Sequence, residues 1–268
     1  MRVNKKNLTL FILLGIVVLM ILVAIPLWGY GFITKLRARD KLNKGVVAFA
    51  AQKYDDAAKL FEESVALDPE FQTARMYLAT AYSSMFVPGS PDPKSKEMAE
   101  KAIKTFEEML ETNPNNENAM ISIASLYYQM DDSGESKKWC ARILAVDPNN
   151  AEALYRIAVI DYNDSYKATG IQGENVEFLT ADEKGKILNE IQEGLDSIDK
   201  ALKIRPDYFD AMEYQNLLWR EKAKFEKDKA AKAELIHQAD LVAQKALAMR
   251  IKAQEEEARK PKKLAAGK

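Results

Sequence analysis

Residues 147–162 read DPNNAEALYRIAVIDY, in which an Asp-Pro pair is followed by apolar residues at helical spacing. Similar pairs, with Asp, Asn or Arg before the proline, occur at Pro69, Pro114 and Pro206. Together with Pro148, these prolines are 45, 34 and 58 residues apart along the chain. A period of about 34 residues indicates repeated helix pairs. One interval equals this period, and the other two exceed it by 11 and 24 residues, which indicates an insertion in each of those two units. The sequence therefore predicts an all-α chain of stacked helix pairs.

The repeats and their flanks divide the chain into consecutive segments. We predict a basic N terminus at 1–7, a transmembrane helix at 8–32, repeats at 38–70, 72–116, 117–150 and 151–208, a fifth repeat-like unit with a capping helix at 209–257, and a disordered basic tail at 258–268. The second repeat has a loop insertion at 84–94, and the fourth has an insertion at 162–181. The second insertion is rich in apolar residues, so we expect it to pack on the array or on another subunit.

Capping residues and periodicity predict where individual helices begin and end. The expected helices include Asp40–Ala51, Tyr54–Leu67, Thr73–Ser83, a helix from Pro93 to about Thr112, Ala151–Asp161, a helix that starts at the Thr180–Glu183 capping box and ends at Ile204, and a last helix from Ala230 to about Glu257. The apolar face of the last helix is predicted to contain Leu235, Ile236, Leu241, Val242, Ala246 and Met249, with a charged face opposite. Turn or cap roles are predicted for Asp131, Asp132, Asp161 and Asp164.

The stretch GVVAFAAQKYDDAAKLFEESVALDPE, residues 45–70, resembles a tetratricopeptide repeat. Gly45, Tyr54, Ala57, Phe61 and Pro69 stand where that family places its small residue, its aromatic residues and its terminal proline. The third repeat and the first helix of the fourth match in the same register, so the resemblance covers roughly residues 38–250. It implies a right-handed solenoid of about five helix pairs, two of them with insertions, that serves as a general binding scaffold.

The resemblance also implies a concave groove lined by the first helix of each pair. The expected lining residues are Leu42, Val46, Phe49, Thr73, Met76, Thr80, Ile121, Ser125, Tyr128, Gln129, Tyr155, Val159 and Tyr162. Some members of the family grip a terminal carboxylate with basic and polar residues at such places, and the apolar Leu42, Val46 and Met76 argue against that function here. The aromatic residues would suit an apolar or aromatic segment of a partner protein. Alternatively, some of them pack against the insertions.

The residues that could support catalysis are few. His237 is the single histidine and Cys140 the single cysteine, and they lie two repeats apart. We interpret His237 as a surface residue and Cys140 as a buried, inert thiol. A single cysteine cannot form an internal disulfide or a thiolate-rich metal site. The formal charge is −1, from 39 basic and 40 acidic residues, so no net field attracts nucleic acid. We therefore predict a protein without enzymatic activity, cofactor or metal.

The N-terminal region contains one long apolar segment. Residues 8–28 carry no charge over 21 residues, enough to span a bilayer as a helix, and Trp28, Tyr30 and Phe32 mark its far end. A cleaved signal peptide is the alternative, but the apolar run is longer than usual and no small-residue cleavage site follows it. Basic residues flank both ends, so their distribution alone does not determine the orientation. We predict an inner-membrane anchor with the repeats in the periplasm; an organelle anchor of opposite topology is the alternative.

We favour the first of three functions, keep the second as its alternative, and predict against the third. The first is a membrane-anchored scaffold that binds a protein or peptide segment in the groove and helps to assemble an envelope complex. The second is a structural subunit that self-associates by end-to-end stacking of the solenoid into an oligomer or filament. The third, an enzyme, would depend on His237 or Cys140.

Overall fold

The computed structural model describes residues 31–259, with side chains as far as residue 256. Within this range the chain forms ten α-helices, one short 3-10 helix and no strand. The α-helices are α1 (31–50), α2 (Tyr54–Leu67), α3 (Gln72–Met85), α4 (Pro93–Thr112), α5 (Glu117–Gln129), α6 (Ser133–Val146), α7 (Ala151–Thr169), α8 (Ala181–Ile204), α9 (Phe209–Lys224) and α10 (Lys229–Arg259). The 3-10 helix, Val176–Phe178, lies between α7 and α8. The ten α-helices form five consecutive pairs, which confirms the predicted all-α repeat architecture.

Several predicted features fall outside the described range. They are the basic N terminus at 1–7, residues 8–30 of the predicted transmembrane helix at 8–32, and residues 260–268 of the basic tail. Among the helices of residues 31–259, none is both long enough and apolar enough to cross a bilayer.

The chain divides into two compact units between Ala119 and Met120. In the first unit, α1 and α2 approach closely because Gly45 faces the buried ring of Phe61. A β-carbon at Gly45 would lie only 2.4 Å from a ring carbon of Phe61. The buried hydroxyl of Ser64 donates to the carbonyl of Ala38 at 2.7 Å, which ties α2 to α1 a second time. Helix α3 packs against α2 and α4, and α4 contributes Phe106 and Met109 to the core.

The second unit is centred on α7, α8 and α9, which pack against one another. Its largest core cluster contains Ile191, Leu195 and Ile198 of α8 together with Ala158 of α7 and Leu218 of α9. Helix α6 packs on α7 through a smaller cluster that includes the buried thiol of Cys140, and α10 packs on α9. The first helices of three successive pairs, α5, α7 and α9, therefore belong largely to one compact body.

The predicted capping residues are confirmed where the structure shows their bonds. The Asp92 carboxylate accepts from the backbone N–H of Lys94 and precedes Pro93, the first residue of α4. Thr180 and Glu183 form the predicted reciprocal capping box at the start of α8, which ends at Ile204 as expected. Asp132 caps α6 by accepting from the backbone N–H of Glu135. Local side-chain chemistry therefore sets these helix ends.

Helix α7 is longer than predicted, because it continues from Asp161 to Thr169 through the first part of the expected insertion 162–181. The residues that this stretch buries are polar: Asp161 is 1% exposed, and Ser165 and Thr169 are fully buried. They are spaced four residues apart and so share one helix face. An apolar periodicity cannot reveal a helix whose buried face is polar. For the same reason the interpretation of Asp161 as a turn or cap residue was wrong.

Other differences from the predicted elements are smaller. Residues 31–50 are all helical, so α1 starts before Asp40, and α3 and α10 each extend by one or two residues beyond the predicted ends. On α10, Ala246 is buried as expected, but Leu241 is 47% exposed and does not belong to the inward face. Leu247 and Ile251 are also exposed, so the outer face of α10 is less polar than the predicted charged face.

Candidate functional site

Five tyrosines from α5, α7 and α9 form what we call the tyrosine surface of the second unit: Tyr128, Tyr155, Tyr162, Tyr166 and Tyr214. The ring of Tyr214 makes near-perpendicular edge contacts with Tyr155 and Tyr162, at centroid distances of 5.5 and 5.6 Å. Tyr162 also contacts Tyr166 at 5.7 Å. All five side chains are half-buried, so each one retains ring area that a partner can cover.

Polar bonds hold the two ends of this cluster. The side-chain amide of Asn163 donates to the hydroxyl oxygen of Tyr128 and to the carbonyl of Val159, both at 2.7 Å, and so ties α5 to α7. At the other end, the ring of Tyr208 contacts Tyr155 at 5.0 Å, while its hydroxyl donates to the carboxylate of Glu152 at 2.7 Å. The rings are therefore fixed by neighbours on both sides. A preorganised aromatic surface loses little side-chain entropy when it binds.

Burial further favours the protonated form of the hydroxyls, which tyrosine already has at neutral pH. It raises the pKa of Tyr155, Tyr162 and Tyr214, and nearby acidic groups and other tyrosines raise the pKa of each further. The hydroxyls are therefore protonated at neutral pH and can donate as well as accept hydrogen bonds. The surface combines apolar ring area with O–H donors, which suits a segment that presents apolar or aromatic side chains and backbone carbonyl groups.

The structure brings three of the predicted groove residues together in this cluster: Tyr128, Tyr155 and Tyr162. Tyr155 and Tyr162 contact Tyr214 and pack with it on the core cluster of the second unit, while Tyr128 is held by Asn163. Among the other predicted residues of the second unit, Val159 is 9% exposed and buried beneath the surface. Those that remain accessible on α5 are Ile121 and Ser125, which are half-buried, and Gln129, which is exposed.

The predicted groove residues of the first unit form no comparable cluster. Leu42 is 8% exposed and belongs to the core rather than to an open groove. Phe49 packs its ring edge on Tyr54 at 5.2 Å, and Val46 is half-buried on the same helix. On α3, the accessible positions are Thr73, which is exposed, and Met76 and Thr80, which are half-buried.

Two members of the tyrosine surface, Tyr166 and Tyr214, were not predicted. Tyr166 was assigned to the insertion, because α7 was expected to end at Asp161. Tyr214 lies on the first helix of the fifth pair, where a groove position could have been assigned from the repeat register. The signal for Tyr214 was therefore present in the sequence, whereas the signal for Tyr166 depended on the polar face of α7.

A partly buried charge cluster, in which only Asp161 is fully buried, lies between α6, α7 and α8 of the second unit. The ammonium group of Lys137 contacts one carboxylate oxygen of Asp161 and lies 2.8 Å from a carboxylate oxygen of Glu193. The other carboxylate oxygen of Asp161 is buried without a hydrogen-bond partner. Burial raises the pKa of Asp161 to about 7, although Lys137 opposes this shift. The cluster was not predicted, since polar residues at helical spacing resemble a solvent-facing stripe.

The residues considered for catalysis are Cys140 and His237, and neither is placed as an activated catalytic group. Burial raises the pKa of the Cys140 thiol to about 11, which keeps it protonated at neutral pH. His237 is exposed on α10. Between residues 31 and 259, no three His, Cys, Asp or Glu side chains are grouped so that they could hold a metal ion.

The geometry defines a helix-pair repeat protein, and comparison with known proteins specifies the kind of repeat. Residues 42–82 and 95–159 match two family models that are both described as tetratricopeptide repeat. A TPR repeat-containing protein, YpiA of Bacillus subtilis (strain 168), is 27% identical over 138 residues, which is 52% of this chain. The chain thus spans only about a quarter of that relative, 27% of its length.

Solved structures show the same fold over a larger part of the chain. A crystal structure of MamA protein aligns with a TM-score of 0.56 at 14% identity and covers 82% of this chain and 94% of that one. MamA from Desulfovibrio magneticus RS-1, from residue 41 to its end, aligns with a TM-score of 0.53 at 12% identity and covers 78% and 96%. The chain therefore carries tetratricopeptide repeats and has their all-helical fold.

Proposed function

We propose that this protein is a membrane-anchored scaffold that binds an apolar or aromatic segment of a partner protein on the tyrosine surface. The observation that carries the proposal is the cluster of five half-buried tyrosine rings, which lie on the first helices of three successive helix pairs. Tyrosine is among the residues that contribute most to binding energy in protein interfaces. Edge contacts between the rings hold them in place before a partner arrives.

The membrane attachment is the second part of the proposal. It rests on the uncharged 21-residue segment 8–28, which has the length of a membrane-spanning helix. A scaffold attached in this way would hold its partner close to the bilayer, and it could gather several subunits of an envelope complex. We place it in the inner membrane with its repeats in the periplasm.

The decisive experiment is extraction of the full-length chain from its own membranes in mild detergent, after brief cross-linking, with mass spectrometry of the species that elutes. We expect a distinct protein in fixed ratio, with cross-links at Tyr128 or Tyr162. With that partner purified, Tyr162→Ala should weaken binding about tenfold or more, because truncation removes a central ring. Tyr162→Phe is the matched control; it keeps the ring and should retain most of the affinity.

Two results would overturn this proposal. One is a partner whose affinity is the same for wild type and Tyr162→Ala. The other is recovery of this chain alone, as multiples or a polymer.

The second result would favour self-assembly, for which α10 supplies a specific observation. Leu241, Leu247 and Ile251 on this terminal helix are 47%, 60% and 47% exposed. An apolar face at the end of a repeat array could be covered by a second copy. Replacing Leu247 with Glu should then convert the multiple into a single chain on a sizing column.

A further inference from the structure

The segment between α7 and α8, residues 170–180, presents large apolar side chains to solvent. Phe178 is 84% exposed and Ile171 is 71% exposed. The next residue, Leu179, is instead partly buried against the core cluster of the second unit. The segment is therefore anchored to the core at Leu179 while the neighbouring ring of Phe178 is left uncovered.

Polar contacts fix the end of α7 and the first residue of this segment to α9. The hydroxyl of Thr169 donates to the buried carboxylate of Glu221 at 2.8 Å. The ammonium group of Lys224 donates to the carbonyl of Gly170 at 2.7 Å and lies 2.6 Å from Glu221. Inside the segment, the carboxylate of Glu174 accepts from the backbone N–H of Gln172 at 2.8 Å. These bonds occupy buried charged groups and so stabilise one conformation of the segment.

Two glycines allow the segment to fold back on α9. Gly170 and Gly173 have φ values of 80° and 83°, which residues with a side chain rarely adopt. A β-carbon at Gly173 would also lie 3.2 Å from the side chain of Lys224, so the backbone approaches α9 closely. At its far end the segment enters the capping box of α8. A fixed segment of this kind would lose little conformational entropy on binding.

The charge around the exposed rings indicates what could cover them. Residues 170–180 contain two acidic residues, Glu174 and Glu177, and no Lys or Arg; Asp182 and Glu183 follow in the first turn of α8, just before Lys184. Both Glu174 and Glu183 are ionised at neutral pH as ordinary glutamates are. Backbone hydrogen bonds lower the pKa of Glu174, and hydrogen bonds from Thr180 lower that of Glu183, which favours this charged form further. An acidic segment is repelled by an anionic lipid surface and attracted to a basic one. The complementary partner is a protein with an apolar pocket rimmed by Lys or Arg.

We propose that Phe178 anchors a second protein contact, in which its ring enters an apolar pocket with a basic rim on a partner protein. This contact uses a residue outside the tyrosine surface and goes beyond the function assigned to that surface. The geometry combines the features of an interface anchor: an exposed aromatic ring, a fixed backbone and a flanking charge that selects the partner.

The test uses the full-length chain with the photoreactive analogue p-benzoylphenylalanine in place of Phe178, irradiated in its own membranes. The same analogue in place of Val146, another exposed apolar residue of the second unit, is the matched control. We expect Phe178-specific cross-links to apolar residues of a partner that are flanked by Lys or Arg. With that partner purified, Phe178→Ala should weaken binding about tenfold, and salt should weaken binding of the wild type.

A second variant tests whether the fold of the segment, and not only the Phe178 ring, contributes to binding. Gly173→Ala leaves Phe178 in place but strains the fold of the segment, because residue 173 has a φ of 83° and its β-carbon would lie 3.2 Å from the side chain of Lys224. It should therefore also weaken binding, while Val146→Ala should not. Cross-links to lipid, to other copies of this chain alone or to nothing would overturn the proposal, as would equal affinities of wild type and Phe178→Ala. Tyr162→Ala measured on the same complex distinguishes the two surfaces: weakening by that variant alone would leave the tyrosine surface standing and refute the role of Phe178.

Discussion

Asp161 shows how much a single buried side chain can set the response of this protein to pH. Its carboxylate is 1% exposed, and one oxygen contacts Lys137 of α6 while the other has no partner. The charged groups that face it are Lys137, together with Glu193 and Glu190 of α8. Desolvation by burial dominates over the attraction of Lys137, so the pKa of Asp161 rises to about 7 from an ordinary value of 3.8.

This shift predicts a pH-dependent stability with a definite sign. Between about pH 4 and pH 7 the folded state holds the proton on Asp161 more tightly than the unfolded state does. The free energy of unfolding should therefore fall as the pH rises through this window, by at most about 1.4 kcal/mol per pH unit. Denaturant unfolding of the wild type and of Asp161→Asn, in the same detergent at several pH values, measures the effect.

Asn keeps an oxygen that can accept from Lys137 but cannot titrate, so the difference between the two proteins isolates Asp161. The difference should change through the window and become constant above about pH 7. Parallel profiles would contradict the prediction, and they would mean that Asp161 stays ionised in the folded protein throughout.

At the scale of the element, the close approach of α1 and α2 depends on a residue without a side chain. Gly45 faces the ring of Phe61, which is fully buried. Glycine inside a helix is otherwise unfavourable, by roughly 0.5–1 kcal/mol relative to alanine. The fold accepts this cost because the two helices could not pack at this distance with any other residue at the position.

The expected consequence is that one substitution has opposite effects at two helical glycines. Gly45→Ala should lower the free energy of unfolding by about 1–3 kcal/mol, since its β-carbon overlaps the Phe61 ring. Gly185 of α8 has no atom within 4 Å of the corresponding position. Gly185→Ala should therefore raise stability by up to about 1 kcal/mol through helix propensity alone. Denaturant unfolding of both variants tests this, and a stabilising Gly45→Ala would show that the helices can separate freely.

At the scale of the whole molecule, the question is how the repeats are attached in the cell. We predict that deletion of residues 1–30 moves the protein from the membrane fraction to the soluble fraction, because the 21-residue uncharged segment would be lost. Membrane flotation of both forms provides the measurement. The full-length chain should stay with the membranes even in high salt. Accessibility of the repeats to protease in intact cells then reports the side of the membrane.

The mass of the mature protein distinguishes the anchor from a signal peptide. An intact N terminus in the membrane fraction is expected. A mature chain that lacks the apolar segment would contradict the anchor and would favour a secreted scaffold whose repeat fold is unchanged.

The repeat fold could be predicted because its determinants are local. Boundary prolines, the small residue Gly45 opposite Phe61, and caps such as Asp92 and Thr180 all act within a few turns of helix, so period and spacing reveal them. Three members of the tyrosine surface, Tyr128, Tyr155 and Tyr162, were predicted as groove residues from the resemblance to the repeat family, although Tyr162 lies one residue beyond the predicted end of its helix.

What only the tertiary structure decided depends on contacts between distant residues. The polar face of α7 is buried because Asp161 meets Lys137 of α6, and Thr169 meets Glu221 of α9. Nothing in the local pattern distinguishes such a stripe from a solvated one. The same holds for the exposure of Phe178, an apolar residue that composition alone would place inside. The sequence by itself determined the repeats, through local and periodic signals. The pairing of polar groups across helices required the assembled fold, because a polar group is stably buried only where a specific partner satisfies it.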